Sequence, residues 1–212
     1  MKRLLTVILF AALVGGLAQA QTYEFGIFGG YARFSRPALG SLSPESATDT
    51  DTRLKANYVE GAWIGLNTRG YLGNELSYAR TNSTLRTTER TLVNGVTVTT
   101  IPEDRIRVDR AAYNFLLFFM PNGSRWRPYV TGGAQAQQYQ GPHFAWPRGS
   151  RRHYGVNWGG GIKLIPMAHT LFRLDLREYI GGKPYGLSYV DSTKSGGTLK
   201  QYEATAGFAI TF

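Results

Sequence analysis

The stretch Thr170-Leu171-Phe172-Arg173-Leu174-Asp175-Leu176-Arg177-Glu178-Tyr179-Ile180 decides the fold. Between Phe172 and Arg177 apolar and charged residues alternate strictly. A β-strand sends successive side chains to opposite faces. Phe172, Leu174 and Leu176 therefore share one face, and Arg173, Asp175 and Arg177 the other. A helix would spread both sets around its circumference. A strand of this kind must divide an apolar environment from a polar one.

Seven other segments repeat the pattern. Residues 23–34 set Tyr23, Phe25, Ile27 and Tyr31 against Glu24, Gly26, Phe28 and Gly30. Residues 57–67 set Tyr58, Ala62, Ile64 and Leu66 against Gly61, Trp63, Gly65 and Asn67. Residues 71–86, 107–119, 127–139, 154–164 and 200–212 alternate in the same way. Each is long enough to cross a bilayer as a tilted strand of about 9–11 residues. Short connections fall at Asn67–Gly70, Pro121–Arg125 and Ile165–His169, and long ones cover 35–56, 87–106, 140–153 and 181–198. Short turns at one end and long loops at the other predict an all-β chain. Its form is an eight-stranded antiparallel up-and-down transmembrane barrel, with short periplasmic turns and four longer extracellular loops. A soluble sandwich or lipocalin-like barrel is the alternative, and it would turn the apolar set inward.

The polar faces support the membrane reading. Glu24, Glu75, Asp175 and Glu203 balance Arg110, Lys163, Arg173 and Arg177. Eight strands enclose only enough space for side chains, so buried ions there must be paired. Glu75, Arg110, Lys163, Arg173, Asp175, Arg177 and Glu203 are assigned to one lumen network centred on Arg173, Asp175, Arg177, Glu203 and Lys163. Glu24 is expected in water at a strand end, with Arg110 the next candidate for such a position.

Composition narrows the rest. The 212 residues include 26 Gly, 13 Tyr and no Cys, and the net charge is +10. The absence of Cys excludes a disulfide scaffold, a thiolate metal site and a cysteine nucleophile. Lys2-Arg3, the apolar run Leu4–Leu17 and Ala18-Gln19-Ala20 read as a signal peptide (1–20) cleaved after Ala20, leaving 21–212 as the barrel. The run is shorter than a spanning helix requires, which argues against an N-terminal anchor.

The C-terminal stretch Thr205-Ala206-Gly207-Phe208-Ala209-Ile210-Thr211-Phe212 resembles the assembly signal of the eight-stranded outer-membrane barrels of Gram-negative bacteria. These are the OmpA transmembrane domain, OmpX and the opacity proteins. Thr205, Gly207, Ile210 and Phe212 carry the likeness, with Gly29-Gly30-Tyr31 and Arg127-Pro128-Tyr129-Val130 as weaker echoes. The resemblance implies outer-membrane localisation and recognition of the terminal aromatic by the barrel assembly machinery. The resemblance covers the barrel alone, so the peptidoglycan-binding domain of full-length OmpA proteins is not expected.

Chemistry is sparse. His143, His153 and His169 share no metal-ligand spacing, and Ser150 with His153 supplies no fixed triad geometry. No catalytic, cofactor or metal residue is assigned. Gly159-Gly160-Gly161 is followed by no helix and reads as close strand packing or small lipid-side residues, not a dinucleotide loop. Thr91 to Thr99 surrounds Asn94-Gly95, a two-residue hairpin signal that predicts a β-ribbon protruding above the membrane. The third long loop places Trp146, Arg148, Arg151 and Arg152 together without an acid between 140 and 153. These residues suit phosphates of lipopolysaccharide, or form a merely solvated basic loop. The expected partners are outer-membrane lipid, lipopolysaccharide and the assembly machinery, and the export signal argues against nucleic acid. The sequence reads as a monomeric outer-membrane barrel with a closed, charge-filled interior and a structural or surface-interaction role. A narrow porin or small-solute channel is the first alternative, and a lipid A-modifying enzyme the second.

If Phe212 is an assembly signal, deleting it impairs insertion in cells far more than it destabilises the folded barrel. The heat-modifiable fraction in outer membranes falls, while the unfolding midpoint of the same variant refolded in detergent changes little. Equal losses in both measurements would reduce Phe212 to packing.

Overall fold

A computed structural model of the chain describes residues 22–35, 48–67, 70–94, 96–141, 152–182 and 198–212. The proposed signal peptide lies outside the described residues. The strands are β1 Thr22–Phe34, β2 Thr48–Leu54, β3 Asn57–Asn67, β4 Leu72–Val93, β5 Val96–Thr100, β6 Glu103–Phe118, β7 Trp126–Gln140, β8 Arg152–Met167, β9 Thr170–Gly182 and β10 Thr198–Thr211. Eight of them form the wall. β1 pairs with both β10 and β3, and β4 pairs with both β3 and β6, so the antiparallel sheet closes on itself. The seam at the chain ends includes Phe212 N–H donating to the Tyr23 carbonyl at 3.0 Å. Closure leaves no open edge in the wall, which hydrocarbon requires.

The apolar set faces outward. Phe25, Ile27, Ile64, Leu76, Phe115, Leu174, Leu176 and Ile210 are exposed on the outer wall. Tyr23, Tyr71, Trp126 and Phe212 ring the turn end of this band, and Tyr31, Tyr58, Tyr154, Trp158 and Tyr202 ring the loop end. On β1 the band runs from Tyr23 to Tyr31. At a rise of about 3.3 Å per residue and a tilt of about 40°, it is roughly 20 Å tall. This is the surface of a transmembrane barrel, and the soluble alternative with inward apolar residues is not what the chain forms.

Above the band the polarity inverts. On β6, Tyr113, Phe115 and Leu117 face outward, and Arg110 and Asn114 face inward. Nearer the loops Ile106 and Val108 are buried inside, while Arg105 and Asp109 lie on the outward parity. The strand continues through the change, and only its surroundings differ. Phe34, Leu54, Leu85, Ile106, Val108, Tyr139 and Leu199 form an apolar core inside this upper part.

The ribbon is present, and larger than the sequence reading gave. Val93 pairs with Val96 across Asn94, whose φ of 52° is the left-handed value a primed two-residue hairpin needs. β2, read as loop, pairs with the upper part of β4 from Thr48↔Thr91 to Leu54↔Leu85. One edge of the ribbon is thus covered by the chain itself.

Glycines make room for the largest interior side chain. Trp63 lies against Gly26 and Gly207, and a Cβ on Gly207 would stand 2.7 Å from its ring and 2.9 Å from the Ile27 carbonyl oxygen. Gly207→Ala should therefore lower stability by about 1–3 kcal/mol through overpacking. Gly132→Ala, whose Cβ would meet nothing closer than 3.6 Å, should stay within about 0.5 kcal/mol of the parent. Urea midpoints of the two variants in lipid vesicles check the contrast.

Candidate functional site

The lumen is filled by ionised side chains in three tiers. At the turn end Lys163 of β8 pairs with Glu24 of β1 at 2.6 Å. Asn67 of β3 donates to the same carboxylate and accepts from Lys163 at 3.4 Å. Glu24 is only 3% exposed, so the expectation that it sits in water is corrected. Its even-numbered place on β1 points inward, and the turn segments extend the covered lumen below it.

The middle tier joins Glu75 of β4 to Arg173, Asp175 and Arg177 of β9. Arg173 donates to both Glu75 and Asp175. Arg177 reaches Glu75 at 3.0 Å and Asp175 at 3.4 Å. The Tyr129 hydroxyl donates to Asp175, and Asn114 Nδ2 donates to Glu75 at 3.1 Å. Each carboxylate is shared by two guanidinium groups, so removing either leaves cations short of partners. Arg173 also lies 4.8 Å from the Trp63 ring centroid. A cavity of about 10 Å³ lined by Trp63, Phe28, Glu75, Arg173 and Asp175 remains there, room for about one water.

The loop-end tier is a bidentate pair. Arg110 Nη1 and Nη2 reach the two oxygens of Glu203 at 2.6 and 2.8 Å, and the guanidinium stacks on Tyr179 at 3.5 Å. Arg110 is 3% exposed, so it too belongs inside and not in water at a strand end. Gln201 donates to Glu203 at 2.7 Å. The single network centred on five residues is accordingly redrawn. Arg173, Asp175 and Arg177 do meet, but Glu203 and Lys163 belong to separate tiers above and below. Strand tilt explains this, because residues level in register on adjacent strands are not level along the barrel axis.

A fifth interior cation escaped the sequence reading. Arg127 is 1% exposed and stacks on Phe118 at 3.8 Å. It donates to the carbonyls of Met120 and Gly70 and to Asn122 Oδ1, tying two turns to β7. Its parity with Tyr129 and Thr131 on the inner face was the available signal.

Other assigned residues fall elsewhere. Thr205 and Gly207 line the lumen, and Ile210 and Phe212 face outward beside β1. Trp146, Arg148 and Arg151, with Ser150 and His143, lie outside the described residues. Arg152 begins β8 and is exposed. His153 packs its ring against Tyr139 at 5.8 Å, and His169 Nδ1 lies 2.9 Å from the Thr211 carbonyl oxygen. In the ribbon, hydrogen bonds from Lys55 and Arg86 hold the Glu103 carboxyl below its ordinary value.

No family model matches the chain, and no curated protein sequence matches it. Its fold is similar to the outer membrane protein OprG from Pseudomonas aeruginosa, with a TM-score of 0.54 and 13% identity over 89% of this chain and 95% of that one. It is also similar to neisserial surface protein A, with a TM-score of 0.53 and 12% identity over 90% and 97% of the respective chains. At such identities the likeness is one of fold.

The middle tier gives a stability prediction. Asp175→Ala leaves Arg173 and Arg177 with Glu75 as their one remaining carboxylate. Breaking buried ion pairs in this way should cost about 3–5 kcal/mol. A urea midpoint for the variant in lipid vesicles equal to that of the parent would contradict the role given to this tier.

Proposed function

We propose that the protein is a monomeric integral barrel of the outer membrane. Its task is structural or one of surface interaction, and it carries no steady solute flux. The observation that carries this reading is the succession of closures along the lumen. Arg127 on Phe118, Lys163 with Glu24, the Glu75 and Asp175 tier, Arg110 with Glu203, and the apolar core at the loop end follow one another along the axis. A solute would have to break three ion-pair tiers and then cross an apolar layer. The narrow-porin reading needs a continuous aqueous path, which porins obtain from many more strands.

Two features support an interaction role over an enzymatic one. The rings of His153 and His169 are engaged by Tyr139 and the Thr211 carbonyl. The extension beyond the apolar band is a paired, cored structure that can present a surface. The loop end faces the exterior in this reading and the turn end the periplasm, and the cleaved leader supplies export. The cations of the third loop and the outer wall favour lipopolysaccharide as a neighbour.

Single-channel recording of the purified barrel in a planar bilayer tests the closed interior. Brief openings well below those of porins, which reach the order of a nanosiemens, are expected from a lumen that only side chains fill. Stable porin-sized openings would promote the channel reading. Release of fatty acid or sugar from lipid A by the same sample would promote the enzyme.

A further inference from the structure

The outer wall of β4 and β6 changes character within two residues. Leu76, Tyr78, Tyr113 and Phe115 are apolar and exposed. Immediately above them the same face carries Arg80, Arg86, Arg105 and Arg107, flanked by Arg53 and Lys55. Its carboxylates are shared. Asp109 pairs with Arg80 at 2.9 Å and Arg107 at 3.2 Å. Glu103 pairs with Lys55 at 2.6 Å and Arg86 at 2.8 Å. Glu60 is the cross-strand neighbour of Arg80, and Asp104 lies on the opposite face of β6. Among the described side chains, Arg80 and Arg107 therefore share Asp109, and Lys55 and Arg86 share Glu103. Arg105, between Arg107 and Glu103 on the outward parity of β6, has no ion-pair or hydrogen-bond partner among the described residues.

We infer that this face of β4 and β6 seats a phosphate-bearing lipid of the loop-side leaflet. Its phosphate lies on Arg80, Arg105 and Arg107, and its acyl chains lie along Leu76, Tyr113 and Phe115. The inference rests on the proposed membrane orientation. Guanidinium forks match phosphate oxygens in geometry as well as charge. The position favours a lipid over a soluble polyanion, because the lowest cation of this face is bonded to the uppermost aromatic of β4. Arg80 Nη2 donates to the Tyr78 hydroxyl at 3.1 Å, and that hydroxyl donates to Asp109 at 2.7 Å. A phosphate held there is already at the edge of the hydrocarbon.

The test is native mass spectrometry of the folded barrel, released from micelles that contain equal amounts of diphosphorylated lipid A and its dephosphorylated form. The parent is expected to retain the phosphorylated lipid about tenfold better, as charge-assisted contacts to several guanidinium groups imply. Arg80→Gln/Arg105→Gln/Arg107→Gln should bring the ratio close to one. Arg125→Gln, at the turn end, should leave it unchanged. Arg105→Gln alone breaks no ion pair, so it keeps the fold and should lower the ratio by about twofold or more. Equal retention of the two lipids by the parent overturns the inference, and so does an equal loss in Arg125→Gln. Displacement of the lipid by a soluble sulfated oligosaccharide also overturns it and assigns the patch to a soluble polyanion. Heat modifiability and bilayer current of the same sample report separately on the proposed function. A folded, non-conducting barrel without lipid preference would therefore refute this inference alone.

Discussion

An ion taken out of water needs a partner of opposite charge, and the interior of this barrel is organised by that requirement. Eight strands leave no solvated channel in which unpaired charges could rest. Glu24, Glu75, Asp175 and Glu203 are each held by Lys163, Arg173, Arg177 or Arg110, and amides from Asn67, Asn114 and Gln201 supply further hydrogen bonds. Such pairs add little net stability over apolar residues of equal volume, but losing one member is costly. Their arrangement is therefore better understood as specifying which strands face one another across the lumen. Arg110 on β6 meets Glu203 on β10, and Lys163 on β8 meets Glu24 on β1. Neither pair joins neighbouring strands, so both fix the closed cross-section and not merely local pairing.

The second constraint is the change of solvent along each strand. Hydrocarbon outside and ions inside give way, toward the loops, to water outside and an apolar core inside. A single strand obeys both regimes by exchanging the residue types on its two faces. The upper part thus has the construction of a soluble β-domain, with Phe34, Leu54, Leu85, Ile106, Val108, Tyr139 and Leu199 as its core. It lies above the ion-pair tiers, as the Arg127–Phe118 stack lies below them. The cationic face on β4 and β6 begins where the exchange occurs.

Much of this was legible in the chain. Period-two alternation located all eight wall strands and gave each residue its correct face, because the pleat allows no other assignment once the apolar side is known. The Asn94-Gly95 signal located the hairpin. The inverted region was harder. Ile106 and Val108 occupy even positions, whereas Tyr113, Phe115 and Leu117 occupy odd ones, and that phase change without a turn marks the crossing. Read as a single pattern, it left β2 as loop and began the fourth wall strand only at Arg107. Arg127 was hidden by Pro128 and the nearby turn, though its parity was inward.

The sequence by itself determined the number of wall strands, their two faces and, Arg127 apart, which interior positions carry charge, because these follow from local alternation. The tertiary structure alone decided which charge meets which. Strand tilt shifts register from one strand to the next, so Arg110 finds Glu203 and Glu24 finds Lys163 across distances that no local pattern encodes. It also decided that the lumen ends in an apolar core, since that depends on where the wall leaves the hydrocarbon.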